Sequence, residues 1–250
     1  LYYQQCCINY IYFKFKGMIQ IINVTKSFKN KTVLNNLSLK INKGQIYGLL
    51  GANGAGKSTT INLLLGFLKP DSGTIKIENS NLYDNLYDIR KYVGYIPEDV
   101  NIYDYLTGVE NLDYFSKLSG LNYKKKELEQ FLKICGLRED SFHVKSSHYS
   151  KGMRQKVAIA IAYAKEAKIY LLDEPASGLD PLSSNELTEL MKNLVKRGAT
   201  ILMASHDIFR VRESCDRIGI LKNGTLLKDI ESHSVTSNEL EKIYLNFMKN

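Results

Sequence analysis

No stretch of this 250-residue sequence approaches the ~18 consecutive apolar residues that cross a bilayer as a helix. If the protein works at a membrane, another chain must do the crossing. Cysteine is scarce. Cys6, Cys7, Cys135 and Cys215 have no metal-site spacing and suggest no disulfide framework, which fits a reducing compartment. Internal repeats and linker-like segments are missing, so neither a repeat array nor a string of small domains is in view. Charge runs are nearly absent as well. The net charge of +8 is spread out, and Lys124-Lys125-Lys126 is the one basic run. With Glu127 and Glu129 beside it, that run reads as a solvated helix end, and no nucleic-acid partner is expected. The excess charge still suits an anionic membrane surface. A content of 44% hydrophobic and 24% charged residues excludes a disordered or fibrous chain. The length suffices for one large domain, or a core with a subdomain.

One segment has nearly forced chemistry. Gly51-Ala52-Asn53-Gly54-Ala55-Gly56-Lys57-Ser58-Thr59 fits the pattern of a phosphate-cradling loop: Gly, four residues, then Gly-Lys-Ser. Glycines at 51, 54 and 56 allow backbone angles that side chains would block, so successive N–H groups can converge on anionic oxygens. Lys57 supplies positive charge for terminal phosphates, and the Ser58 hydroxyl is placed to hold magnesium. Gln45 to Leu50 reads as a buried strand. Ser58 to Phe67 reads as a helix with Ile61, Leu64, Leu65 and Leu68 on one side, its positive end aimed at the same phosphates. A nucleoside triphosphate site follows.

Strand-like runs at Ile19–Val24 and Val33–Ile41 precede that loop. Beyond it the pattern predicts strands at Gly73–Ile77, Tyr92–Ile96, Lys168–Leu172, Thr200–Ala204, Ile218–Leu221 and Thr225–Ile230, with a helix around 84–91. Residues 107 to 166 look largely helical, opened by a Thr107/Glu110 capping box with Leu112, Phe115, Leu118 and Leu121 as apolar positions. A helix is expected from Ser183 with Glu186 as its capping partner. Another is announced by Thr236 and Glu239, with Val235 and Leu240 as a staple and Leu240, Ile243, Tyr244 and Phe247 facing inward. Apolar strands alternating with helices predict an α/β fold whose mostly parallel sheet is covered on both sides, with an inserted helical subdomain at about 99–166. Residues 1–17 look foreign to this pattern. They lack the cleavage site of a secretory signal, and Met18 opens a clean strand, so the leader is expected to lie outside the fold and Met18 to be the natural start. The other reading of the leader is a short membrane-surface anchor.

A phosphate loop needs an acid nearby, and Ile169-Tyr170-Leu171-Leu172-Asp173-Glu174 ends a strand in two. Asp173 can hold magnesium through its water shell, and Glu174 can polarise a water for in-line attack on a γ-phosphate as a general base. A base candidate predicts hydrolysis rather than binding alone. Alone, Ser150 is a helix cap and His206 has no assigned role.

Three more segments stand in order around that acidic strand. They are Tyr149-Ser150-Lys151-Gly152-Met153-Arg154-Gln155, then Asp173-Glu174-Pro175-Ala176-Ser177-Gly178-Leu179-Asp180-Pro181, then Ser205-His206-Asp207. With the glycine loop, they resemble the ATP-binding subunit of an ABC transporter from about Met18 to the C-terminus. The resemblance implies a P-loop fold of ABC type, with an N-terminal antiparallel β subdomain and the ABC domain spanning 18–250. It implies ATP and Mg2+ as cofactors. It implies that Phe28 stacks on adenine with Val33 beside it, and that Gly51, Ala52 and Asn53–Thr59 wrap the phosphates. Ser150 and Gly152 match the family's Leu-Ser-Gly-Gly-Gln segment, which meets the γ-phosphate bound on the opposite subunit. Asp180 matches a loop residue that communicates across the dimer, and His206 the histidine that holds the γ-phosphate and orients Glu174 and its water. Glu98 stands where the family usually has a glutamine that touches magnesium and couples to the membrane subunit. That segment and Tyr-Ser-Lys-Gly-Met resemble the drug and antibiotic exporters. The partners so implied are a second ATP-binding subunit, identical or different, and integral membrane permease subunits on separate chains, at the cytoplasmic face of the membrane. A soluble ABC ATPase acting on ribosomes or DNA, and an uptake subunit, are the competing accounts.

Overall fold

Alternation of buried and exposed side chains builds the first sheet of the computed structural model, which describes residues 18–249; the expectations about the leader fall outside them. Strands β1 (Ile19–Phe28), β2 (Lys31–Ile41), β4 (Ser72–Ile77) and β5 (Ser80–Asn81) pair antiparallel in the order β2-β1-β4-β5. Ile19 stands opposite both Ile41 and Ile77, so three apolar residues share one inward face.

The second sheet holds six strands: β3 (Ile46–Leu50), β6 (Val93–Ile96), β7 (Ile169–Asp173), β8 (Thr200–Ser205), β9 (Arg217–Lys222) and β10 (Thr225–Glu231). Their order is β10-β9-β3-β8-β7-β6; every pairing is parallel except that of the edge strand β10 with β9. Period-two geometry sends successive side chains to opposite faces. Ile46, Leu50, Tyr170, Leu172, Ile201 and Met203 enter one core with the large set of helices. Tyr47, Leu49, Ile169, Leu171, Leu202 and Ala204 enter the other, with α1 (Lys57–Leu64) and the antiparallel sheet. Both faces are covered, as the continuous apolar strands predict.

Helix α1 stops three residues short of the expected Phe67. Gly66 takes φ +68°, and Phe67 N–H donates back to Asn62 O at 2.9 Å, the glycine-terminated end that a left-handed residue makes. After α2 (Leu86–Arg90), the largely helical stretch at 107–166 consists of α3 (Gly108–Leu118), α4 (Lys125–Ile134) and α5 (Lys151–Ala164), with two short 3-10 turns before α5. The Thr107/Glu110 box forms: Glu110 N–H donates to Thr107 Oγ1 at 3.3 Å, and Glu110 Oε2 accepts from Thr107 N–H at 2.8 Å. Leu118 does not join the core and is 67% exposed. Polar Asn111 is buried instead, because it satisfies the backbone of the segment leading into α3.

Helix α6 (Pro181–Lys196) corrects the expected start at Ser183. Its cap is Asp180, which accepts from Ser183 N–H at 3.0 Å and Ser183 Oγ at 2.6 Å, with proline in the first turn. Glu186 pairs with Lys156 of α5 instead. After α7 (Ile208–Ser214), α8 (Ser237–Lys249) starts at the expected Thr236/Glu239 box. Leu240 is fully buried in the helix-covered core, and Ile243, Tyr244 and Phe247 pack against that core half-buried. Among the described residues no helix is long and apolar enough to cross a membrane.

Candidate functional site

Parallel strands place all their carboxyl ends on one edge of a sheet, so the loops after β3, β7 and β8 converge there. The glycine loop leaves β3 and is tied to β8 at once, Gly51 N–H donating to Ser205 O at 3.1 Å. A Cβ at Gly51 would stand 2.6 Å from Leu221 O. Gly56 has φ +110°, and a Cβ there would meet Leu34 at 2.6 Å, so only glycine fits where the loop turns into α1. Ala55 is buried, and its carbonyl accepts from Gly224 N–H at 2.9 Å.

Lys57, 6% exposed, bends back over this loop. Its Nζ donates to Gly51 O at 2.7 Å and Ala52 O at 3.3 Å, and forms an ion pair with Glu174 Oε1 at 3.2 Å. The two sequence-distant halves of the site therefore touch. Glu174 is buried with φ +46°, a left-handed angle that costs a non-glycine residue about 1–2 kcal/mol. Two hydrogen bonds fix it: its N–H donates to Ala204 O at 2.9 Å, and its carbonyl accepts from Ser177 N–H at 3.0 Å. Its Oε2 takes three donors, Ser205 Oγ at 3.1 Å, His206 N–H at 3.3 Å and His206 Nδ1 at 3.0 Å. Burial opposes ionisation of Glu174, but the His206 hydrogen bond and the Lys57 charge outweigh it and hold the carboxyl below its ordinary value.

Asp173 at the tip of β7 behaves oppositely. Burial pushes its carboxyl up despite a hydrogen bond from Ser58, and the Glu174 and Glu98 charges add to the push. Its Oδ1 is buried with no hydrogen-bond partner. An orphaned carboxylate oxygen, the Ser58 hydroxyl and Glu98 make an all-oxygen set that fits a hard divalent cation. Among the described residues no three His, Cys, Asp or Glu side chains make a metal cluster.

Ser58, Glu98, Asp173 and Glu174 line a cavity of about 200 Å3 with Val33, Asn53, Gly54, Gly56, Lys57 and Thr59. A larger hollow of about 290 Å3, walled by Tyr123, Phe131 and Tyr163 behind α5, shares none of these residues. Phe28 does not line the cavity; it sits at the end of β1, 43% exposed, with Lys26 Nζ 5.6 Å from its ring centre. Ser150 caps α5, accepting from Met153 N–H at 3.3 Å, and Gly152 lies buried beside Ser183 and Leu179. These two, with Asp180, lie outside the cavity of their own chain.

Two polar residues at this edge went unassigned in the sequence. Ser205 precedes His206 in the Ser205-His206-Asp207 segment, where the resemblance gives a role to the histidine alone. Gln155 is buried in α5 and donates to Pro175 O, joining the Ser150 helix to the loop after Glu174. An amide on the same buried stripe as Gly152, Ile159 and Ala162 was the readable signal for it.

The family model described as ABC transporter matches residues 34–177. The Bacitracin transport ATP-binding protein BcrA of Enterococcus faecalis is 36% identical over 214 residues, covering 85% of this chain and 69% of that protein. The Linearmycin resistance ATP-binding protein LnrL of Bacillus subtilis is 34% identical over 212 residues, covering 84% and 68%. A solved dimeric ATP-binding cassette in a post-hydrolysis state, bound to ADP and Pi, superposes with a TM-score of 0.76 at 29% identity, covering 86% of this chain and 98% of that one. With a glycine loop, an acidic strand tip and a histidine joined at one sheet edge, this chain belongs to the ABC transporter family, as an ATP-binding subunit that hydrolyses ATP.

Proposed function

We propose that this chain is the motor subunit of an exporter, seated at the cytoplasmic face of a membrane and driving permease subunits on separate chains. The carrying observation is the Glu174 carboxylate, held from both sides beside the phosphate loop and Asp173. The similarity to proteins named for bacitracin transport and linearmycin resistance favours export over uptake.

In this reading the N–H groups of residues 51–59 and the Lys57 amine hold the phosphates of ATP, while Phe28 and Val33 flank the adenine. Ser58, Asp173 and Glu98 are the oxygen donors for Mg2+, which when bound neutralises charge on the phosphate oxygens. Glu174 takes a proton from a water whose oxygen bonds to the γ-phosphorus. The bond from that phosphorus to the β–γ bridging oxygen breaks, and ADP leaves with the electron pair. His206 keeps Glu174 aligned with that water. Ser150 and Gly152 of a second subunit, at the positive end of α5, close over the γ-phosphate, and Asp180 links the two sites.

Glu174→Gln tests the base. Turnover should fall by about 10²–10⁴-fold, with ATP binding intact and an ATP-bound dimer accumulating on size-exclusion chromatography. Undiminished hydrolysis would remove Glu174 as the base, and a strictly monomeric profile with ATP would count against the paired subunits.

A further inference from the structure

Ser205 ends β8 opposite Leu50, the last residue of β3, and is 4% exposed. Its carbonyl accepts from Gly51 N–H at 3.1 Å, anchoring the first residue of the glycine loop. Its hydroxyl donates to Glu174 Oε2 at 3.1 Å and accepts from Asp207 N–H at the same distance. One residue thus grips both halves of the site.

The direction of these bonds matters. A serine hydroxyl has a single proton, and the Asp207 N–H occupies its acceptor side, so the proton is committed to the carboxylate. The other Oε2 donors are the His206 backbone N–H and the His206 ring, whose side chain is 54% exposed. Ser205 is therefore the buried side chain that fixes this oxygen from the strand side. From these contacts we infer that Ser205 is a positioning residue of the hydrolytic reaction, one whose hydroxyl sets the carboxylate plane of Glu174. It acts through Glu174, so the inference rests on the reading of Glu174 as the base.

A base held slightly off its line of attack loses rate rather than substrate affinity. Ser205→Ala in the purified full chain with ATP and Mg2+ should therefore lower kcat by about 10–100-fold, with the KM for ATP within about twofold of the parent. Ser205→Thr keeps the hydroxyl and should recover most of kcat. In a Glu174→Gln background, Ser205→Ala should lower residual turnover no further, because the two act as one unit. Thermal melts of the Ser205 variants check that they fold; if the alanine variant does not, Ser205→Cys, which keeps a side chain of similar size with a weaker donor, carries the test with the same expected direction of loss in kcat. Parental kcat in Ser205→Ala, a proportional rise of KM, no recovery by threonine, or an additive loss on top of Glu174→Gln would each overturn the inference. Undiminished turnover in Glu174→Gln alone would instead bring down the base assignment beneath it, so the two failures are told apart.

Discussion

At the scale of single residues, Lys57 and Glu174 tie the glycine loop to the acidic strand tip. Both are buried, and their ion pair of 3.2 Å joins distant parts of the chain. A buried pair loses more when one partner is removed than it contributes intact, because the remaining charge is stranded. Lys57→Ala should therefore weaken ATP affinity by about 10–100-fold, the loss of one or two charge-assisted hydrogen bonds. Equilibrium binding of a fluorescent ATP analogue measures it, and parental affinity would contradict the phosphate-loop reading. Lys57, Ser58 and Asp173 were legible because each belongs to a local pattern, a loop spacing or a strand tip, whose chemistry is set by near neighbours. Ser205 was not, since it acquires its role from a partner 31 residues away; for Gln155 the buried stripe was readable but its partner, 20 residues away, was not.

At the scale of elements, the expected capping boxes form at Thr107 and Thr236 but not at Ser183. Thr107 and Thr236 cap their helices as expected, since a capping box needs only residues three apart. Helix α6 starts at Asp180 rather than Ser183 because a carboxylate followed by proline out-competes a hydroxyl already inside the first turn. Helix α3 departs furthest from its apolar pattern. Leu118 faces outward, while Asn111 is fully buried with its amide on Tyr103 O, Leu106 O and Thr107 O and its oxygen on Tyr103 N–H. Asn111→Ala would orphan several of these groups at once. It should cost about 2–4 kcal/mol, read as a lower denaturation midpoint at unchanged m-value. A change under about 0.5 kcal/mol, the range of ordinary surface substitutions, would deny the network that role.

At the scale of the whole molecule, one edge of one sheet decides where chemistry happens. Three parallel strands bring the glycine loop, the acidic tip and the Ser205-His206 turn together, while Ser150 and Gly152 lie outside that cavity. The proposed contact of these two residues with nucleotide on a second subunit leads to a test. Ser150→Arg should accordingly abolish the ATP-induced dimer and lower turnover by at least about tenfold, leaving ATP affinity of the single chain unchanged. Light scattering with and without ATP reads the first effect, and a normal dimer would rule out Ser150 as a contact between subunits. Sequence alone determined the element types, the layered α/β architecture and the residues of the phosphate loop and acidic strand, because periodicity, capping and loop spacing are local properties of the chain. Only the tertiary structure decided that Glu174 adopts a left-handed backbone under Lys57, that Ser205 holds its carboxylate, and that Asn111 rather than Leu118 is buried. Those outcomes depend on which strands lie side by side, and strand order is a property of the packed sheet that no local window contains.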